Sequence, residues 1–244
     1  MQILFLMASS HIEINKEAYP LYLTDINGKL ILEQQTESCR SLEARQYLFC
    51  VKSGDIKFFN VDAVLRRLVP DNIVIPVAGP TKGAICTALL GIHYIDNDEE
   101  LILMAIDDFI EDEGRHILQY FREQKSDAGV VSFTSVHPRY SFARLDDAGN
   151  VIEVAEKHPV SKNALASFYY FRRGADFVEC AKEVIRKDNP IHDSFYVSQT
   201  LNEMILKLKK VSLYNIPNES FHPLKTEAQL AQYLEKLRQD TVYK

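Results

Sequence analysis

Two adjacent carboxylates, Asp107 and Asp108, close the apolar run LILMAI. A short uncharged run of this kind reads as a strand buried on both faces. Open α/β sheets hold their ligands in the crevice beyond the carboxyl ends of such strands. Oxygen donors at that edge suit a hard divalent cation, because Mg²⁺ takes one or two carboxylates and completes its shell with substrate phosphates. The plainer reading is a solvated turn, since aspartate is common where strands end.

Other chemistry is absent or weak. Seven histidines fall at no metal-ligand spacing. Gly79 to Gly83, GPTKG, has the composition of a phosphate loop but neither the Walker spacing nor the following Lys-Ser/Thr. Cys39, Cys50, Cys86 and Cys180 form no CxxC pair, which argues against a zinc site or a disulfide framework and for a reducing, cytoplasmic setting.

The elements around the acidic pair follow an α/β rhythm. QILFL, QYLFCVK and NIVIPV read as strands, and NVDAVLRRLVP between the last two reads as a helix capped by Asn60 and stopped by Pro70. Asn27-Gly28 marks a turn before the helical ILEQQTES. TKGAICTALLGIHYI opens a helix on a glycine and leads into the strand that carries the acids. From about residue 126 the pattern turns antiparallel. AGVVSFTSV precedes a hairpin, SFARL and VIEVAEK around DDAGN, then the aromatic strand ALASFYYF. Helices at GADFVECAKEVIRK and SFYVSQTLNEMILKL, the edge strand VSLYNIP and a terminal helix follow. The expected architecture is a Rossmann-like mixed sheet flanked by helices in one domain over 1–244, with a nucleotide-binding half at about 1–125 and an acceptor half at about 126–244.

With 244 residues, 46% of them hydrophobic, the chain can bury a large core. Its net charge of −6 and dispersed basic residues argue against nucleic acid. The opening apolar run is too short for a membrane span and lacks a leader pattern. A homo-oligomer is compatible with all of this.

Five segments in order carry a likeness. HPRYSFARLDDAGNVIEVAEKHPVS, TKGAICTALLG, ELILMAIDDFI, SFYVSQTLNEMI and FHPLKTEAQLAQYL together resemble the sugar-phosphate nucleotidylyltransferase family. The resemblance implies a glycosyltransferase-A-like fold, a nucleoside triphosphate and a small phosphorylated acceptor as partners, Mg²⁺ as cofactor and pyrophosphate as leaving group. A role in surface polysaccharide precursor synthesis is the implied setting. In this likeness Asp107 holds the metal and Asp108 is a further ligand or a neighbour. Gly83 and Thr87 approach base and ribose. Glu156 and Lys157 serve the sugar phosphate, the latter catalytically, with a surface ion pair of little worth as the alternative. His137, Arg139 and Ser141 lie in the HPRYS segment, where Arg139 would neutralise acceptor phosphate. Asp193 either completes the metal site or caps the next helix. Ser161 and Asn163 contact the sugar or simply bond within their loop.

The sequence departs from the family after its first strand. Where the family has a Gly-x-Gly-x-Arg loop, this chain has ASSHIEI, with Ala8 and Ser9 at glycine positions, Ser10 beside them and no arginine. Glycine serves there because backbone must approach phosphate closely. Tyr19 replaces the lysine that should precede Pro20-Leu21, and Ala166-Ser167 replace a small Thr-Gly pair. One reading is a remodelled enzyme drawing charge from His11, Lys16 or Lys29. The other is an impaired homologue that binds a nucleotide sugar or sugar phosphate, since the loss of one such cation can cost about 10³ to 10⁵ in rate. A glycosyltransferase on the same fold would want Asp-x-Asp, which is missing at Asp107-Asp108.

Overall fold

A computed structural model describes residues 1–14, 17–111 and 114–242. The chain opens with β1 (Gln2–Leu6), the hairpin β2 (His11–Ile14) and β3 (Glu17–Pro20), and a second small hairpin, β4 (Asp25–Ile26) and β5 (Lys29–Leu30). Then come α1 (Ile31–Ser38), β6 (Gln46–Lys52), α2 (Ser53–Phe59), α3 (Val61–Leu68), β7 (Ile73–Val77), α4 (Ala84–Leu89), α5 (Ile92–Ile95) and β8 (Leu101–Ala105). The second half holds β9 (Asp108–Ile110), α6 (Gly114–Glu123), β10 (Ala128–Thr134), the hairpin β11 (Ser141–Leu145) and β12 (Val151–Glu156), and β13 (Asn163–Phe171). It ends with α7 (Gly174–Arg186), α8 (Val197–Leu206), β14 (Val211–Asn215), β15 (Phe221–Pro223) and α9 (Glu227–Val242).

Among the described residues nine strands share one sheet, in the order β12-β11-β13-β8-β1-β6-β7, with β10 on β13 and β14 on β10. The β8-β1-β6-β7 block is parallel. β13 runs antiparallel to β8 through Phe168–Phe171 and meets β11 at Ala164. Between these contacts, at Leu165–Ser167, it passes from one partner to the next, and the sheet opens.

The period of two along β1 explains why both faces are covered. Ile3 and Phe5 enter one core with Phe49, Ile102 and Phe168, whereas Leu4 enters the other with Leu48, Leu103 and Phe171. A third, smaller core of Leu21, Ile26, Ile31, Leu224, Leu230 and Tyr233 fastens the start of α9 to the N-terminal hairpins. This contact brings the far end of the chain to the site.

Two local expectations change. Asn60 precedes α3 but makes no side-chain cap; it stands at φ 51 between α2 and α3, turning the chain in the left-handed region that asparagine tolerates. Asp193, also left-handed at φ 60, does not cap α8, whose N-cap position belongs to Tyr196. All four cysteines are free thiols.

Candidate active site

The carboxyl ends of β1 and β8 open into a cavity of about 340 Å³ at the gap where β13 changes partners. Ser9 and Ser10 line it from the first strand, Asp107 and Asp108 from β8, and Arg139, Ser141, Glu156 and Lys157 from the β11–β12 hairpin. A larger cavity of about 800 Å³ adjoins it over the ends of β6 and β7, lined by Ala8, Lys52, Gly79, Thr81, Gly83 and Thr87. Leu6, Ser9, Ala84 and Tyr196 border both. Ser9, Ser10, Gly83, Thr87, Asp107, Asp108, Arg139, Ser141, Glu156 and Lys157 thereby line one cleft, whereas Ser161, Asn163 and Asp193 do not.

The acidic junction is not a solvated turn. Asp107 accepts the Ser10 hydroxyl at 3.1 Å, and its carbonyl accepts the Leu224 amide at 2.7 Å. Burial pushes the Asp107 carboxyl above its ordinary pKa; the Lys225 ammonium opposes this shift and the Asp108 charge adds to it. Asp108 is buried, accepts the Ser167 hydroxyl, and stands 3.1 Å from the Lys225 ammonium at both carboxylate oxygens.

Lys225 was invisible to the sequence reading. It arrives because β9, which begins at Asp108, pairs antiparallel with β15, setting Pro223 opposite Asp108. Two residues further on, the lysine folds over the carboxylate. Burial works against its charge, yet the carboxylates of Asp108 and Asp107 outweigh that cost and raise its pKa. Its side chain is 46% exposed and lines the cavity, while that of Asp108 is 2% exposed and lies behind it.

A magnesium ion held by several protein groups does not fit this arrangement; Asp107 alone remains to share one with substrate phosphates. The described residues contain no group of three or more acids, histidines or cysteines placed to hold a metal. The acid at the start of β9 already carries an ammonium. A divalent ion on that carboxylate would have to share it with the lysine, whose like charge opposes it. Asp193, the other expected ligand, is exposed and lines neither cavity.

The hairpin residues partition differently from a simple ion pair. Glu156 accepts hydroxyls from Ser141 and Ser198, the latter at 2.7 Å. Lys157, held at φ 54, turns away from Glu156 and donates to the Tyr196 hydroxyl at 2.7 Å. Arg139 lies along the Tyr140 ring and contacts the His137 imidazole at the cavity's outer edge. Ser161 and Asn163 instead donate to the Ala143 carbonyl at 2.7 and 3.1 Å, and line neither cavity.

Gly83 is needed for packing as well as for any ligand. At φ +103, a Cβ there would lie 2.5 Å from the Phe195 carbonyl oxygen. That close approach lets the Phe195 amide reach the Lys82 carbonyl at 2.8 Å and joins α4 to the segment before α8. Thr87 is buried and bonds Thr81 at 2.6 Å on the wall of the larger cavity.

The loop after β1 is built of side chains and internal turns. The Ser10 amide donates to Met7 and the His11 amide to Ser9, both at 3.1 Å, so neither points into the cleft. The candidate replacement cations are engaged elsewhere: His11 contacts Asp55 at 2.9 Å, and Lys29 pairs with Glu37 at 2.6 Å. Lys16 lies outside the described residues. Tyr19 stacks edge-on against Phe59.

The sheet order, the cleft at the strand ends and the antiparallel second half define a mixed α/β fold of the glycosyltransferase-A type. No protein-family model and no curated protein matches the sequence. Among solved structures, a nucleoside-diphosphate-sugar pyrophosphorylase from Vibrio cholerae RC9 superposes with a TM-score of 0.79 at 19% identity, over 96% of this chain and 100% of that one. A UDP-glucose pyrophosphorylase complexed with UDP-glucose gives 0.78 at 14% identity, over 98% of each chain. The inositol-1-phosphate CTP transferase from T. maritima gives 0.73 at 12% identity, over 96% of this chain and 93% of that one. The fold is therefore shared from end to end, while little of the sequence is. No helix among the described residues is long and apolar enough to cross a membrane.

Proposed function

We propose that this protein transfers a nucleotidyl group from a nucleoside triphosphate to a small phosphorylated acceptor, such as a sugar phosphate, and releases pyrophosphate. The observation that carries this reading is the meeting of three cations, Arg139, Lys157 and Lys225, with the Ser9 and Ser10 hydroxyls around one cavity at the strand ends. An acceptor phosphate oxygen attacks the α-phosphorus, a P–O bond forms, the bond to the β-phosphate breaks, and the electron pair leaves on pyrophosphate. The nucleophile is already an anion, so no side chain has to take a proton. Catalysis then consists of alignment and charge neutralisation.

The larger cavity, with Gly83, Thr87 and Lys52, takes the nucleoside, and the smaller one takes the acceptor between Arg139 and Lys157. Each departing or attacking phosphate then lies near a cation. No step in this reading passes through a protein-bound metal. The products would include a nucleotide sugar of the kind consumed in surface polysaccharide synthesis.

One observation favours a second reading, a binding protein for nucleotide sugars. The inward-turned amides of Ser10 and His11 deprive the triphosphate of donors that a glycine loop would offer. Incubation with a panel of nucleoside triphosphates and sugar phosphates, with pyrophosphate release as readout, separates the two. Release with one pair supports transfer. No release with any pair, together with tight binding of a nucleotide sugar, supports the binding protein.

A further inference from the structure

We propose that the Lys225 ammonium takes the place of a protein-bound divalent cation, so that the cleft holds phosphate on a built-in positive charge and needs no metal to do so. The inference deepens the nucleotidyl-transfer reading and rests on it for the identity of the ligand.

The cavity carries three acids, Asp107, Asp108 and Glu156, and three bases, Arg139, Lys157 and Lys225. Without Lys225 its formal charge would be −1, and a polyphosphate would be repelled. The lysine is also placed as a bound ion would be. It sits on the Asp108 carboxylate at 3.1 Å from each oxygen, within the electrostatic reach of Asp107, and its flank faces the cavity. Three N–H donors cannot all be spent on one carboxylate edge-on, so the exposed side retains donors for a phosphate oxygen.

The fold fixes the backbone that delivers this cation. The β9–β15 pairing sets the register, the Leu224 amide is bonded to the Asp107 carbonyl at 2.7 Å, and Leu224 is buried in the small third core. Lys225 is therefore clamped from its own backbone outward. The neighbouring candidate, the cavity of about 880 Å³ between Phe133, Arg139, His222 and Lys236, has no comparable fixed charge aimed into it from a buried partner.

The test uses the intact chain and two probes. Mn²⁺ uptake, followed by electron paramagnetic resonance without nucleotide, reads metal binding directly. Inorganic pyrophosphate binding, followed by calorimetry, reads phosphate binding in excess chelator and in excess Mg²⁺. The wild type is expected to take up no Mn²⁺ at this site and to bind pyrophosphate equally well, within about threefold, in both buffers. Lys225→Asp is expected to gain an Mn²⁺ site that Asp107→Asn abolishes.

Lys225→Ala strands a buried carboxylate and risks misfolding. The double variant Asp108→Asn/Lys225→Gln keeps shape and neutrality, and is expected to fold and to bind pyrophosphate at least about tenfold more weakly in either buffer. A wild type that takes up Mn²⁺ in an Asp107-dependent way, or a Lys225→Asp chain that takes up none, overturns the inference. If pyrophosphate binds in neither buffer while the Mn²⁺ results hold, the cation assignment stands and the nucleotidyl-transfer reading falls.

Discussion

The ends of β1 and β8 are neighbours, in register from Gln2 opposite Leu101 to Leu6 opposite Ala105, and they have fared differently. After β1 the amides of Ser10 and His11 bond within the loop, and two serines line the cleft. After β8 the chain keeps two carboxylates and draws in a lysine from 117 residues away. The Ser10 hydroxyl on Asp107 joins the two ends. On the proposed reading, the contrast teaches that a phosphate site can draw its positive charge from a distant segment, provided that a short strand pair fixes where that segment lands.

The largest expected effect would break the comparison at the β8 end. The double variant Asp108→Asn/Lys225→Gln should lower turnover by about 10² to 10³, because it takes a cation away from the reacting phosphates, while Asp107→Asn should leave thermal stability equal or higher. The sign follows from burial. A carboxyl whose folded pKa is raised stabilises the protein below its unfolded pKa and loses that contribution as pH rises through the folded value, so above it the ionised group is a cost that asparagine removes. Steady-state kinetics and a melting curve at neutral pH check both halves. A fall in the melting temperature of Asp107→Asn would make its carboxylate structural.

Gly83→Ala should act on folding instead. Its Cβ would meet backbone at 2.5 Å, in a region of φ that L residues avoid, with a cost of about 3 kcal/mol and a fall in Tm of roughly 10 °C. Lys157→Ala is smaller again. The acceptor's KM should rise by about tenfold, and the nucleotide's by much less, because the ammonium at Tyr196 borders the acceptor cavity. Equal rises would move Lys157 to the nucleotide side.

The frame of the molecule was legible because it is local. Apolar runs of five to seven residues located β1, β6, β7 and β8, and Asn27-Gly28 located a turn that does adopt φ 55 and 84. Most of the cleft lining could also be located, since the acids and the β11–β12 hairpin are contiguous motifs. Lys225 was not legible. β9 and β15 have three residues each, and neither has a period that sets it apart from a loop. Tyr196 was hidden for another reason: it belongs to the entrance of α8, and only the fold brings its hydroxyl to Lys157. A chemistry-bearing lysine in LKTEAQ looks like any solvated charge before a helix, and only the pairing of His222 with Phe109 and Pro223 with Asp108 shows otherwise.

The smallest expected effect sharpens the comparison from outside the cleft, at the opposite end of β8. Burial works against the Glu100 charge, but Arg122 at 2.8 Å and the Tyr170 hydroxyl at 2.8 Å outweigh it and hold the carboxyl below its ordinary pKa. A depressed carboxylate contributes stability that is present above the unfolded pKa and lost as pH falls through the folded one. Arg122→Ala should therefore cost about 1 kcal/mol at neutral pH, move the acid unfolding midpoint upward, and leave pyrophosphate binding unchanged. Denaturant melts between pH 3 and pH 7 measure this directly. The cleft should not respond, because the carboxylate that Arg122 restrains lies at the amino end of the strand whose carboxyl end holds Asp107.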